Sequence, residues 1–185
     1  DLSQALGLPR QYDHPEVVDA MRRIADGGTI ELAWDGVRRE QPIDMADKRV
    51  TATAAPGFQP VIEFIGGENS DAAQPAAALT IGAGRLTIRG VAVRMAEQQS
   101  ATTPLALFGI GTGRLICEDV VLRMPGNPLA TVDLGARRGN AFIVASGASG
   151  TAAGVTMLRS RAAGDAVFLE VASAATGGAS LEWSG

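Results

Sequence analysis

Three arginines, Arg49, Arg85 and Arg114, each stand directly before an apolar residue that opens a short alternating run: "RVTATA" at 49–54, "RLTIR" at 85–89 and "RLICE" at 114–118. A guanidinium presents a rigid fork of donors that matches carboxylate and phosphate oxygens. If the runs are strands stacked on one another, the three arginines hold one position relative to the inward Val50, Leu86 and Leu115. They then emerge along a single line at about the inter-strand spacing of 4.8 Å. Such a ridge suits an acidic polysaccharide or another polyanion. Stacked like charges are unfavourable unless solvated, paired or used. The competing role is therefore structural: each arginine caps turn carbonyls or pairs with Glu63, Asp47 or Glu118. Arg94 and Arg123 share a second outward slot, with Glu63 in the layer before them.

Other chemistry-bearing residues do not assemble. The only histidine, His14, precedes the first helix and lies far in sequence from any strand acid, so it lacks the partner a general base needs. Alternation places Asp44, Asp133 and Glu170 outward on one sheet, with Thr80 and Gly109 in the slots between. Asp44 and Asp133 would then stand roughly 14 Å apart, beyond a shared calcium or a glycosidase carboxylate pair. Glu118 and Asp119 are adjacent and should diverge. Cys117 sits among apolar neighbours as a small buried residue. "GIGTG" at 109–113 contains part of a dinucleotide fingerprint but lacks the following helix, and "TIGAG" repeats it as a corner. Trp34, Trp183 and Tyr12 are scattered, without the paired exposed rings of a sugar platform. No catalytic residue, metal ligand set or cofactor motif is assigned.

The elements that would position the arginines follow from a repeat. "IGAGRLTIRGVAVRM" (81–95) and "IGTGRLICEDVVLRM" (110–124) match in order, 29 residues apart, inside the range of stacked structural repeats. "DHPEVVDAMRRIADGG" reads as a helix, with Asp13 and Glu16 at capping-box spacing and Gly27 as its stop. "TIELAW" begins the strands. Five layers of up to three strands are expected: 42–45, 49–54 and 60–64; 78–82, 85–89 and 91–95; 105–110, 114–118 and 120–124; 130–134, 141–146 and 155–159; 166–171 and 180–183. Position-equivalent residues should stack, as in Val50, Leu86 and Leu115, or Ile62, Val93 and Leu122. Stacking explains the repeat, because one layer cannot bury its own apolar face.

The chain has 185 residues, 23 of them glycine, and a formal net charge of −4. The glycine excess favours tight turns between short strands, and the charge gives no basic signal for nucleic acid. One cysteine excludes an internal disulfide framework. No apolar run reaches the length of a membrane span. Both ends read as cuts in a longer protein, so the last layer should be prone to end-to-end self-association.

"VVDAMRRIADGGTIELAWDGVRREQPIDM", followed by "VTATAAPGFQPVIEF", resembles the start of bacterial right-handed parallel β-helix proteins of the pectin-lyase-like type. The resemblance implies an all-β, right-handed parallel β-helix solenoid of about five layers, with an N-terminal α-helical cap over residues 1–28 and the solenoid over 29–185. It is similar to β-helical regions of large multi-domain proteins, some carrying a kinase domain, and implies an extracytoplasmic or cell-surface setting. The paired-Asp, "GHG" and "RIK" motifs of hydrolases of that fold do not occur here. The expected function is a non-catalytic scaffold or recognition module, with Arg49, Arg85 and Arg114 as the binding residues. The alternatives are a polysaccharide lyase or hydrolase, and an accessory domain attached to a signalling kinase.

Overall fold

A computed structural model describes residues 17–66, 76–97, 105–125, 140–147, 151–164, 166–171 and 178–185. Helix α1 (Val17–Arg23) is followed by β1 (Thr29–Leu32) and β2 (Gly36–Glu40). The chain then runs β3 (Ile43–Asp44), β4 (Arg49–Ala54), β5 (Pro60–Phe64), β6 (Ala76–Ile81), β7 (Arg85–Arg89) and β8 (Ala92–Met95). It continues through β9 (Leu105–Ile110), β10 (Arg114–Glu118), β11 (Val121–Arg123), β12 (Ala141–Ala145), β13 (Ala153–Leu158), β14 (Arg161–Ala163), β15 (Val167–Val171) and β16 (Ala179–Ser184).

Every third strand joins the same sheet. The first sheet runs β3-β6-β9-β12-β15, the second β1-β4-β7-β10-β13-β16, and the third β2-β5-β8-β11-β14. All pairings are parallel, as a β-solenoid requires. The alternation that marks the strands in sequence also fills the core. Leu86 and Leu115, each with no exposed surface, stack with Val50 and Val155. Ile62, Val93 and Leu122 form the matching column of the third sheet.

The paired glycines of the repeat have a steric cause. A β-carbon on Gly84 would lie 2.1 Å from the Lys48 carbonyl oxygen, and one on Gly113 would lie 2.5 Å from that of Gly84. The corners between first and second sheets stack so closely that backbone meets backbone, and no side chain fits between. "GIGTG" is therefore a corner, with Gly111 donating to the Ile81 carbonyl and Gly113 to that of Gly82.

The circuit nearest α1 shows how the stack begins. Beneath the apolar column of Ile62 and Val93 the inward slot holds Arg38, and beneath Phe64 and Met95 it holds Glu40. Arg38 lies over the Trp34 ring at 4.2 Å, a cation–π contact. Glu40, only 3% exposed, accepts the Val17 and Val18 N–H groups at 2.9 and 3.5 Å. Val17, Val18 and Met21 join the same apolar core as the strands. Lys48 donates to the carbonyls of Arg22 and Ile24. At the opposite end, Val167, Val171, Leu181 and Trp183 are exposed, and Trp183 packs on Phe168 with ring centroids 4.7 Å apart.

Three expectations need correction or placement. "GVRRE" (36–40), which the expected layers leave unassigned between "TIELAW" and 42–45, is a strand, because pairing with β5 matters more than its mixed composition. In the fourth layer, the strand pattern assigns 141–146 to the second sheet. Instead β12 pairs with β9 and β15 in the first sheet, and "RAA" (161–163) supplies the third-sheet strand. "AFIVA" is buried on both faces, so its sequence carries no period to fix its place. The expected strand 130–134, with Asp133, lies outside the described residues, as do the capping box and His14. The outward slot expected for Asp133 is filled by Val144: the column runs Asp44, Thr80, Gly109, Val144, Glu170.

Candidate anion-binding surface

The second sheet places Arg49 against Arg85 and Arg85 against Arg114 in one register. The column that alternation implies is real, and all three side chains are exposed. Gly154 and Ser180 occupy the two slots that follow Arg114. The corner geometry sets the position of each arginine: the Arg85 N–H donates to the Lys48 carbonyl and the Arg114 N–H to that of Gly84.

The three arginines are not equivalent. Arg49 donates from Nε and Nη2 to the Asp26 carboxylate at 3.0 and 2.6 Å, and its backbone N–H reaches the same group at 2.7 Å. These hydrogen bonds, first the side-chain one, hold the Asp26 carboxyl down at about 2 and raise the Arg49 guanidinium. Arg49 is thus a tie between the α1–β1 turn and β4. Asp26 is not one of the acids that the sequence pattern offers as partners for the ridge. The signal lies in register: "TIEL" pairs with "TATA", which sets the α1–β1 turn beside Arg49. Arg85 and Arg114 have no acid partner among the described residues.

The other exposed cations of the second-sheet face are matched. Arg89 pairs with Glu118 at 2.8 Å, and Arg159 with Asp119 at 2.8 Å. Glu118 and Asp119 do diverge, each toward its own arginine. Asp119 and Arg159 are both corner residues at positive φ, 55° and 47°, and their hydrogen bonds lower the Asp119 carboxyl. On the third sheet Glu63 is shared between Arg39 and Arg94 at 2.8 and 2.7 Å. Burial alone would raise the Glu63 carboxyl, but hydrogen bonds from both arginines outweigh it and the net shift is downward.

Two further acids serve turns. Asp44 accepts from the Ala46 N–H and the Thr80 hydroxyl at 2.9 and 3.1 Å, and Asp47 accepts from the Ala83 N–H at 2.8 Å. Burial pushes the Cys117 thiol up to about 12, away from the thiolate that nucleophilic chemistry needs. Among the described residues no three His, Cys, Asp or Glu side chains stand close enough to hold a metal ion, and no helix is long and apolar enough to cross a membrane. What the arrangement offers chemically is donor forks on a rigid face. No family model, no curated protein and no solved structure matches this chain.

Proposed function

We propose that this chain is a non-catalytic scaffold and recognition module that binds an acidic polysaccharide, built as a right-handed, pectin-lyase-like parallel β-helix of about five layers and closed at its N-terminal end by α1. The observation that carries the reading is the Arg85–Arg114 pair: two exposed guanidiniums in direct register, neither with an acid partner among the described residues. Like charges held one strand spacing apart are unfavourable, so an external polyanion would relieve them. The buried Glu40 carboxylate on the α1 N–H groups supports the capping role.

The test is calorimetric titration with polygalacturonate at low and moderate salt. The wild type should bind, more weakly as salt rises, and Arg85→Ala/Arg114→Ala should bind about tenfold more weakly. Salt-independent binding, or none, would reject the reading.

A further inference from the structure

The outward positions of the third sheet form two rails along the stacking axis. One is Val37, Val61, Ala92 and Val121, and it ends in Arg161. The other is Arg39, Glu63, Arg94 and Arg123, and it ends in Ala163. Four arginines therefore share this face with one carboxylate. Glu63 is already divided, with Oε2 accepting from Arg39 and Oε1 from Arg94. Arg123 and Arg161 have no acid partner among the described residues. The other two faces differ. On the second sheet Arg49 and Arg89 are neutralised by Asp26 and Glu118. The outward slot of the first sheet carries Asp44 and Glu170 and no arginine. Arg85 and Arg114 on the second sheet are also without an acid partner among the described residues, but the third-sheet face, with four arginines to one carboxylate, carries the larger surplus.

We infer that the outer face of the third sheet is a second binding surface, on which an acidic polysaccharide lies along the stacking axis. Its uronate carboxylates meet Arg94 and Arg123 on one rail, its ring C–H faces lie on Val61, Ala92 and Val121 of the other, and Arg161, which ends that apolar rail, takes the carboxylate of the terminal ring. The inference rests on the acidic-polymer reading above but puts the polymer on a different face from Arg85 and Arg114. A uronate ring is amphipathic, with a carboxylate on its edge and C–H groups on its face. The two parallel rails offer one match to each. The strand spacing of about 4.8 Å is close to the length of one pyranose residue in an extended chain, so successive rings meet successive strands. Val37 is 48% exposed, which leaves apolar surface open at the start of the rail. Arg94 is a positioning residue as well as a contact, because Glu63 fixes its side chain beside Arg123. Nucleic acid fits less well, since its successive phosphates stand farther apart than successive strands and it presents no C–H face to a valine rail.

The experiment titrates a galacturonate hexamer, and separately a deoxythymidylate hexamer, into the wild type, Arg123→Ala/Arg161→Ala and Arg85→Ala/Arg114→Ala. Thermal melting serves as the folding control. All four positions are solvent-facing, so the variants should melt as the wild type does. The expected result is about tenfold weaker hexagalacturonate binding for Arg123→Ala/Arg161→Ala with a shallower salt dependence. If Arg85→Ala/Arg114→Ala then binds as the wild type does, the third-sheet surface stands and the second-sheet site falls. Unchanged binding by Arg123→Ala/Arg161→Ala overturns the inference, as does tighter binding of the deoxythymidylate or no binding of either hexamer. Should the double variant melt early, Arg123→Lys/Arg161→Lys keeps the charge and should bind with weakened affinity only if the guanidinium fork matters; equal affinity to wild type with intact charge would reduce the surface to a nonspecific field and overturn the ring-and-carboxylate match.

Discussion

Arg114 lies across Gly154. A β-carbon on Gly154 would stand 3.0 Å from the Arg114 Nε and 3.3 Å from its Cγ, and the two residues are direct partners across β10 and β13. The absence of a side chain in the slot after the last arginine lets the Arg114 stem lean along the column. Gly154 has no positive φ to protect, so Gly154→Ala should fold normally. The obstructing atoms belong to a flexible side chain, and the stability change should stay within about 0.5 kcal/mol. The Arg114 Nε–H resonance should shift, because the guanidinium must swing away. A loss of more than about 2 kcal/mol on denaturant unfolding would show that Arg114 is locked in place rather than leaning.

Gly84 and Gly113 should behave differently. At these corners the opposing atoms are backbone carbonyl oxygens, 2.1 and 2.5 Å from where a β-carbon would stand, and backbone cannot rotate aside. Gly84→Ala or Gly113→Ala should cost about 3 kcal/mol or more. Gly57→Ala provides the contrast: the space is open, but φ is 85°, so the cost should be only about 1–2 kcal/mol. Equal melting temperatures for all three variants would contradict the close stacking of corners.

Glu40 links α1 to the first circuit. Removing its carboxylate leaves the buried N–H of Val17 without its acceptor, so Glu40→Ala should destabilise by about 2 kcal/mol. Amide exchange should show whether the loss is local. Residues 17–23 should lose protection before β7 and β10 do. Simultaneous loss across all strands would mean that the helix and the solenoid unfold as one unit.

The Asp26–Arg49 tie should titrate far below neutral pH. The folded carboxyl sits at about 2, against an ordinary 3.8. A carboxyl lowered on folding stabilises above its unfolded value and loses that contribution as pH falls through the folded one. The tie should therefore be intact above about pH 4 and lost toward about pH 2. Carboxyl NMR titration of Asp26 should give the low value, and Arg49→Ala should return it toward the ordinary range. An unshifted Asp26 would mean that the ion pair does not persist in solution.

Much of the fold is legible in the sequence because a solenoid repeats its own slots. The match of 81–95 with 110–124 places Arg85 beside Arg114, and the structure keeps that register. Alternation places Val50, Leu86 and Leu115 inward for the same reason: a strand with one buried face writes its orientation into every second residue. The signal fails where both faces are buried. "AFIVA" has no polar side to mark its phase, so only pairing with β9 and β15 fixes it in the first sheet. It fails again at "GVRRE", where Arg38 and Glu40 occupy inward slots because no further strand of the third sheet lies beneath them among the described residues. Charge pairing is the least legible feature. Asp26 and Arg49 lie 23 residues apart, and Arg39, Glu63 and Arg94 come from three separate circuits. Sequence determined which residues face outward on the alternating strands such as β4, β7 and β10. Only the tertiary structure decided which charges meet, because Coulomb contacts depend on distance across the stack and not on order along the chain.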